Sequence, residues 1–174
     1  GTVFSLDTRN LLKAAIAEAA KEGVVVNFGT EFEFYLFRLD ADGNATKIPY
    51  DSAHYMDIAP LDRGENVRRE ICLTLCEMGI RPESSHHEDG PGQNEIDFRY
   101  SDALSAADNA FTFPSVVRSV AMRNGLAADF SPKPLPDESG NGMHINLSLA
   151  KPHTETARDS FMAGLMEHIT EITA

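Results

Sequence analysis

Three short segments place polar or ionisable side chains at every second position, the spacing that gathers them on one face of an extended strand. In Thr30-Glu31-Phe32-Glu33-Phe34-Tyr35-Leu36, Glu31, Glu33 and Tyr35 face one way and Phe32, Phe34 and Leu36 the other. Gln93, Glu95 and Asp97 oppose Ile96 and Phe98, and His144, Asn146 and Ser148 oppose Met143, Ile145, Leu147 and Leu149. A fourth source is Glu83-Ser84-Ser85-His86-His87-Glu88, two carboxylates and two imidazoles within six residues. Taken alone, the Glu31-Glu33 strand also reads as a solvated outer face. Like charges side by side repel unless water or a cation separates them. A separation of roughly 7 Å, two residues at the strand rise, suits two neighbouring cations better than one shared ion.

If these strands share a sheet, its polar face collects Glu31, Glu33, Glu88, Glu95 and His144, four carboxylates and one imidazole. Left uncompensated, that set is strongly destabilising. Oxygen-rich sites with one imidazole favour Mg²⁺ or Mn²⁺ over zinc, which prefers thiolates and several histidines. The expected cofactor is two or more hard divalent ions. Such ions neutralise nucleotide phosphates, so an acidic protein can hold ATP without a basic groove. Loops of the Walker or dinucleotide type are missing: there is no Gly-Lys-Ser/Thr and no Gly-x-Gly-x-x-Gly. There is also no Gly-x-Ser-x-Gly elbow, and neither cysteine lies near a histidine in sequence, so no covalent nucleophile is assigned.

The elements that must position these residues are legible from periodicity and punctuation. Asp7 and Thr8 cap a helix over about 8–22 that stops at Gly23, and a second helix over about 63–78 stops at Gly79. A third runs from Asp102 to Arg123, with Pro114 expected to split or kink it. A fourth amphipathic helix runs from about Asp159 to the last residue. Strands are expected at Val24–Phe37, Glu83–His87, Asn94–Tyr100, Leu126–Phe130 and His144–Leu149, with residues 40–62 and 131–142 as loops. With no internal repeat, one compact α+β unit is the simplest organisation: a curved antiparallel sheet, a partial barrel, with helices on its outer, apolar face.

The 174 residues carry 15 Lys and Arg against 27 Asp and Glu, a formal charge of -12. That surface repels nucleic acid and anionic membrane as main partners. No apolar run reaches the ~20 residues of a membrane span, and the N-terminus lacks signal-peptide order, so the sequence reads as soluble and cytoplasmic. Cys72 and Cys76, four apart on a helix, read as two buried thiols.

Four motifs in order, Gly-Thr-Glu31-Phe-Glu33-Phe, His86-His87-Glu88 with Gly92-Gln93-Asn94-Glu95, Phe130-x-Pro-Lys133-Pro134, and Gly140-Asn141-Gly142-Met143-His144, resemble the catalytic domain of the glutamine synthetase family. The likeness covers essentially residues 1–174. It implies ATP-dependent joining of ammonia to the γ-carboxylate of glutamate through γ-glutamyl phosphate. It further implies that Glu33, Glu88 and Glu95 hold one ion and that Glu31 and His144 hold the ion that takes up ATP phosphate. Glu83, Asn146 and Ser148 match nucleotide contacts, and Tyr55 and Gly140 lie where substrate glutamate is held. Asn146 stands where many members have a second His near the phosphates and, being uncharged, implies a phosphate contact weaker in charge; Ser139 stands where some have Asn and Ser131 where Met is common, departures that bear on substrate preference and not on the metals. The resemblance also implies homo-oligomers with active sites shared between subunits. It further implies that the small N-terminal domain and the C-terminal part of the catalytic domain lie outside these 174 residues, so that the chain by itself is expected to be inactive. A γ-glutamyl-amine or polyamine ligase of the same family, a non-catalytic scaffold and, more distantly, a zinc hydrolase are the competing readings.

Overall fold

The computed structural model describes residues 4–150 and 153–173. Its elements, in chain order, are α1 (Thr8–Lys21), β1 (Val26–Leu39), β2 (Ala45–Pro49), α2 (Glu65–Glu77), β3 (Pro82–His87), β4 (Gln93–Phe98), β5 (Ser101–Asp102), α3 (Ala103–Arg123), β6 (Leu126–Asp129), β7 (Met143–Leu149), α4 (Glu155–Glu167) and α5 (Ile169–Ile172). The fold is mixed helix and antiparallel sheet, and the sheet is open rather than closed into a barrel.

Where the sequence suggests one unit, the backbone gathers into two. The larger is Gly29–Tyr100 with Ala107–Asn146; the smaller comprises the described residues of Gly1–Phe28, Ser101–Ala106 and Leu147–Ala174.

In the larger unit β1 is the central strand. Tyr35 pairs with Gln93 of β4 and with Asp129 of β6, so those strands flank β1 on opposite edges. β3 extends the sheet beyond β4, with His86 opposite Glu95 and His87 opposite Asn94. β7 also pairs with β1, and the Glu33 N–H donates to the Gly142 carbonyl at 3.1 Å. Alternation then does what the sequence predicts: Phe32, Phe34, Leu36, Ile96 and Phe98 enter the core, where α2 adds Val67, Ile71 and Leu75, and α3 adds Phe113, Val117 and Val120. Phe113 sits at the centre of this cluster, its ring 5.0 Å from those of Phe32 and Phe98. Burying such side chains stabilises the fold by roughly 1.5–3 kcal/mol each, and it leaves the opposite sheet face free for polar residues.

Several expectations are corrected. Pro114 does not split α3, which is one helix of 21 residues. Proline removes a single backbone bond, and apolar residues on both sides of it, Phe113 before and Val116, Val117 and Val120 after, anchor the helix in the core. The segment 40–62 is not all loop, because Asp40 accepts from the backbone of Asp42 and Asn44 and folds the chain into a hairpin carrying β2. Cys76 is exposed and Cys72 only half-buried, so they are not a buried pair. The apolar face of β7 is only partly covered among the described residues, with Met143 50% and Ile145 56% exposed while Leu147 and Leu149 are half-buried.

In the smaller unit Asp7 caps α1 by accepting from the Arg9 and Asn10 N–H groups, and Gly23, at φ +72°, ends the turn that follows it. The start of β1 pairs with β5 through Asn27 and Phe28, and the Ala150 N–H donates to the Val25 carbonyl at 2.8 Å. The C-terminal helix begins earlier than expected, because Thr154 caps α4, and it breaks at His168 before α5. Its expected last residue, Ala174, lies outside the described residues. No helix among the described residues is long and apolar enough to cross a membrane.

Candidate metal centre

On the polar face of the larger unit, register brings the carboxylates together. Glu33 lies opposite Glu95, and Glu31 opposite Asp97. Two ligand sets result. Glu31, Glu95 and His144 each offer an atom within 4.8 Å of the others, as do His86, Glu88 and Glu95. Glu95 belongs to both, so two adjacent positions share one carboxylate. The His144 ring Nδ1 lies 3.2 Å from Glu31 Oε2, and the Asn146 amide donates to Glu31 Oε1. The His86 Nε2 lies 3.2 Å from Glu88 Oε1 and 3.3 Å from Glu95 Oε2.

On this face carboxylates crowd one another. Burial, then the neighbouring Glu88 and Asp97, push the Glu95 carboxyl up to about 9. Tyr35, on the same face, is raised to about 12 by burial and by the field of Glu138, Asp89, Glu33 and Glu88; its hydroxyl donates to the Ser139 carbonyl at 2.6 Å. Asp97 Oδ1 is buried and has no hydrogen-bond partner, while its other oxygen accepts from Ser84. Carboxylate oxygens of Glu31, Glu88 and Glu95 with the imidazoles of His86 and His144 form a donor set that fits hard divalent cations, and the Asp97 oxygen on the same face is left without a partner.

Glu33 is in neither triple. Its Oε2 accepts from Gln93 Nε2 at 2.9 Å, and the same amide nitrogen donates to the Gly140 carbonyl at 2.9 Å. Gln93 thereby ties the loop before β7 to β1. Gly142 explains the absence of a side chain in that loop: a Cβ there would lie 2.7 Å from Glu33 Oε1 and 2.7 Å from His144 Nε2. At Gly140 a Cβ would lie 2.7 Å from the Pro132 carbonyl oxygen.

Of the residues singled out from sequence, Glu31, Glu88, Glu95, His144 and Asn146 come together with Glu33 at their edge. Glu83 is exposed at an irregularity in the β3–β4 pairing and does not join the cluster. Tyr55 sets its ring edge-on to His86 at 5.6 Å. Ser148 belongs to the smaller unit. His86 and His87, adjacent imidazoles of the same motif, take different places. His86 shares the Glu95 face, and its position one residue out of phase with His87 was the available signal.

His87 is buried. Its Nε2 donates to Asp51 Oδ1 at 2.9 Å and its Nδ1 to the Glu88 carbonyl at 2.6 Å. Both partners only accept, so with Asp51 ionised the ring is an imidazolium. Burial pushes the His87 pKa down, but the bonds to Asp51 and Glu88 outweigh it and leave the value raised. Burial likewise pushes Asp51 up, while His87 and the Arg63 and Gly92 N–H groups hold it below the usual carboxylate range.

The profile for the glutamine synthetase catalytic domain matches residues 5–174. The chain belongs to the glutamine synthetase family. It is 47% identical over its whole length to the glutamine synthetase of Clostridium saccharobutylicum and 48% identical to that of Methanosarcina mazei, in each case covering 42% of the relative. Among solved structures, apo GmaS superposes with a TM-score of 0.82 at 34% identity, over 97% of this chain and 43% of the other. The Plasmodium falciparum glutamine synthetase superposes with a TM-score of 0.81 at 26% identity, over 97% of this chain and 41% of the other. GmaS in complex with ADP gives 0.78 at 35% identity, over 92% and 40%. The chain thus spans less than half the length of the relatives it matches.

Proposed function

We propose that the whole protein is an ATP-dependent ligase that joins ammonia to the γ-carboxylate of glutamate through γ-glutamyl phosphate, giving glutamine, ADP and phosphate. The observation that carries this reading is the convergence of Glu31, Glu95 and His144, and of His86, Glu88 and Glu95, on one sheet face of a glutamine synthetase family chain. With Glu33 at their edge, these residues would hold two or more Mg²⁺ or Mn²⁺ ions, which when bound spread the charge of a transferring phosphoryl group.

The chain's own part is positioning. Gln93 fixes Glu33 against the Gly140 loop, and Asn146 and His144 brace Glu31 from β7. In this reading Glu83, Asn146 and Ser148 face ATP, and Tyr55 and Gly140 face glutamate. The similarity to GmaS, which is seen with ADP, supports the nucleotide assignment. Holding the nucleotide and the attacking carboxylate in one geometry lowers the barrier by removing the entropy of their encounter. In the same reading the whole protein acts in the cytoplasm as a homo-oligomer whose subunits share active sites, and these 174 residues alone have no measurable synthetase activity. ATP-dependent γ-glutamyl transfer to ammonia or hydroxylamine by the 174 residues alone would overturn that last point.

A second reading keeps the chemistry and changes the acceptor, a γ-glutamyl-amine or polyamine ligase of the same family. An assay of the full-length protein against a panel of amines separates the two. Ammonia as the best acceptor is expected, and ammonia as the poorest would reject the synthetase reading.

A further inference from the structure

We propose that Asp51 and His87 are positioning residues for the metal-ligating face, acting through the main chain of Glu88 and of the turn that follows it. The proposal rests on the metal reading above. His87 lies opposite Asn94, which in turn pairs with the core residue Phe34, so its side chain leaves the sheet on the face away from Glu95. From beneath, the His87–Asp51 pair grips both ends of the segment 88–92. His87 Nδ1 donates to the Glu88 carbonyl at 2.6 Å, and Asp51 Oδ1 accepts from the Gly92 N–H at 3.0 Å.

The grip is braced from α2. Asn94 Nδ2 donates to the Gly92 carbonyl at 2.9 Å, Arg68 donates to Asn94 Oδ1 at 2.6 Å, and Asp62 pairs with Arg68 at 2.6 Å. Gly92 itself, at φ +70°, could carry no Cβ without meeting the Leu36 carbonyl at 2.9 Å. The Glu88 backbone is therefore fixed at its carbonyl by His87 and at its N–H by the Gln93 carbonyl, 2.9 Å away. Its carboxylate projects to the other face, beside His86. Partners of this kind, one bond removed from a ligand, typically contribute about 10–100-fold to metal affinity.

The test uses the full-length protein and titration with Mn²⁺, free ion being read by its electron paramagnetic resonance signal. The His87→Asn amide stands where ring Nδ1 stood and keeps the bond to Glu88, whereas the His87→Gln amide reaches as Nε2 does and keeps only Asp51. His87→Gln is expected to weaken one class of Mn²⁺ site by about 10-fold or more and spare the other, and His87→Asn to bind close to wild type. Glu70→Gln, at an exposed pair with Arg123, is the control for general surface effects. Equal binding by wild type and His87→Gln, or loss of both classes together in proportion to lowered metal-free melting temperature, would overturn the positioning role. If His87→Gln does not fold, Asp51→Asn is judged by the same two outcomes. A wild-type protein that binds no Mn²⁺ would instead remove the metal reading, and this proposal with it.

Discussion

The two faces of the sheet near Glu88 are built from the same side-chain types and behave in opposite ways. Beneath the sheet, Asp51 and Asp62 face His87 and Arg68, and each buried negative charge has a positive partner and backbone donors to satisfy it. Above it, Glu31, Glu33, Glu88 and Glu95 meet two imidazoles and neutral amides, with no Lys or Arg paired to them among the described residues, Glu95 is pushed up to about 9, and an Asp97 oxygen is left orphaned. Residue type does not separate scaffold from site; the balance of charge does. A neutral, fully bonded cluster holds chain segments together, and a cluster with surplus carboxylate calls for a cation.

Breaking the neutral cluster should have the largest effect. Arg68→Met leaves the Asp62 carboxylate buried without its partner and deprives Asn94 of a donor. We expect a loss of about 3–5 kcal/mol in denaturant unfolding, with metal or without it. The upper face should respond in the reverse manner. Gly142→Ala crowds the movable ends of Glu33 and His144 rather than backbone, so metal-free stability should fall by less than about 1 kcal/mol. Mn²⁺ affinity should nevertheless drop by about 10-fold. A variant that lost stability but kept Mn²⁺ would erase the distinction between the faces.

A smaller effect sharpens the comparison by pH. The folded-state pKa of Asp51 lies below its unfolded value, so its ion pair contributes stability that is complete above the ordinary carboxylate range. That contribution disappears as pH falls through the lowered folded value. Acid unfolding should therefore narrow the gap in stability between wild type and Asp51→Asn, relative to the gap at pH 7. A gap that stays constant down to acid unfolding would show that Asp51 is not ionised in the fold.

Much of the upper face was legible in the sequence because strand alternation is a local rule. Glu31, Glu33 and Tyr35 had to oppose Phe32, Phe34 and Leu36, and Glu95 had to oppose Ile96. The lower face was not legible, since Asp51 and His87 are 36 residues apart and nothing local announces that they meet. The reading of β7 erred in the other direction. Its alternation is real, but burial along the apolar face is graded, Met143 and Ile145 exposed and Leu147 and Leu149 half-buried, so alternation fixes the face and not the depth of burial. The hairpin to β2 had a local signal in Asp40-Ala41-Asp42-Gly43-Asn44, outweighed by the exposed, polar character of the short strand it leads to.

The central claim is that divalent cations compensate the upper face. The most direct measurement is the thermal unfolding of the full-length protein with Mn²⁺ against the same protein in chelator, together with a count of ions bound. Ligands that bind only the folded state stabilise it by mass action, so we predict a melting temperature that climbs with Mn²⁺ concentration and at least two ions per chain. An unchanged melting temperature and no bound Mn²⁺ would contradict the account.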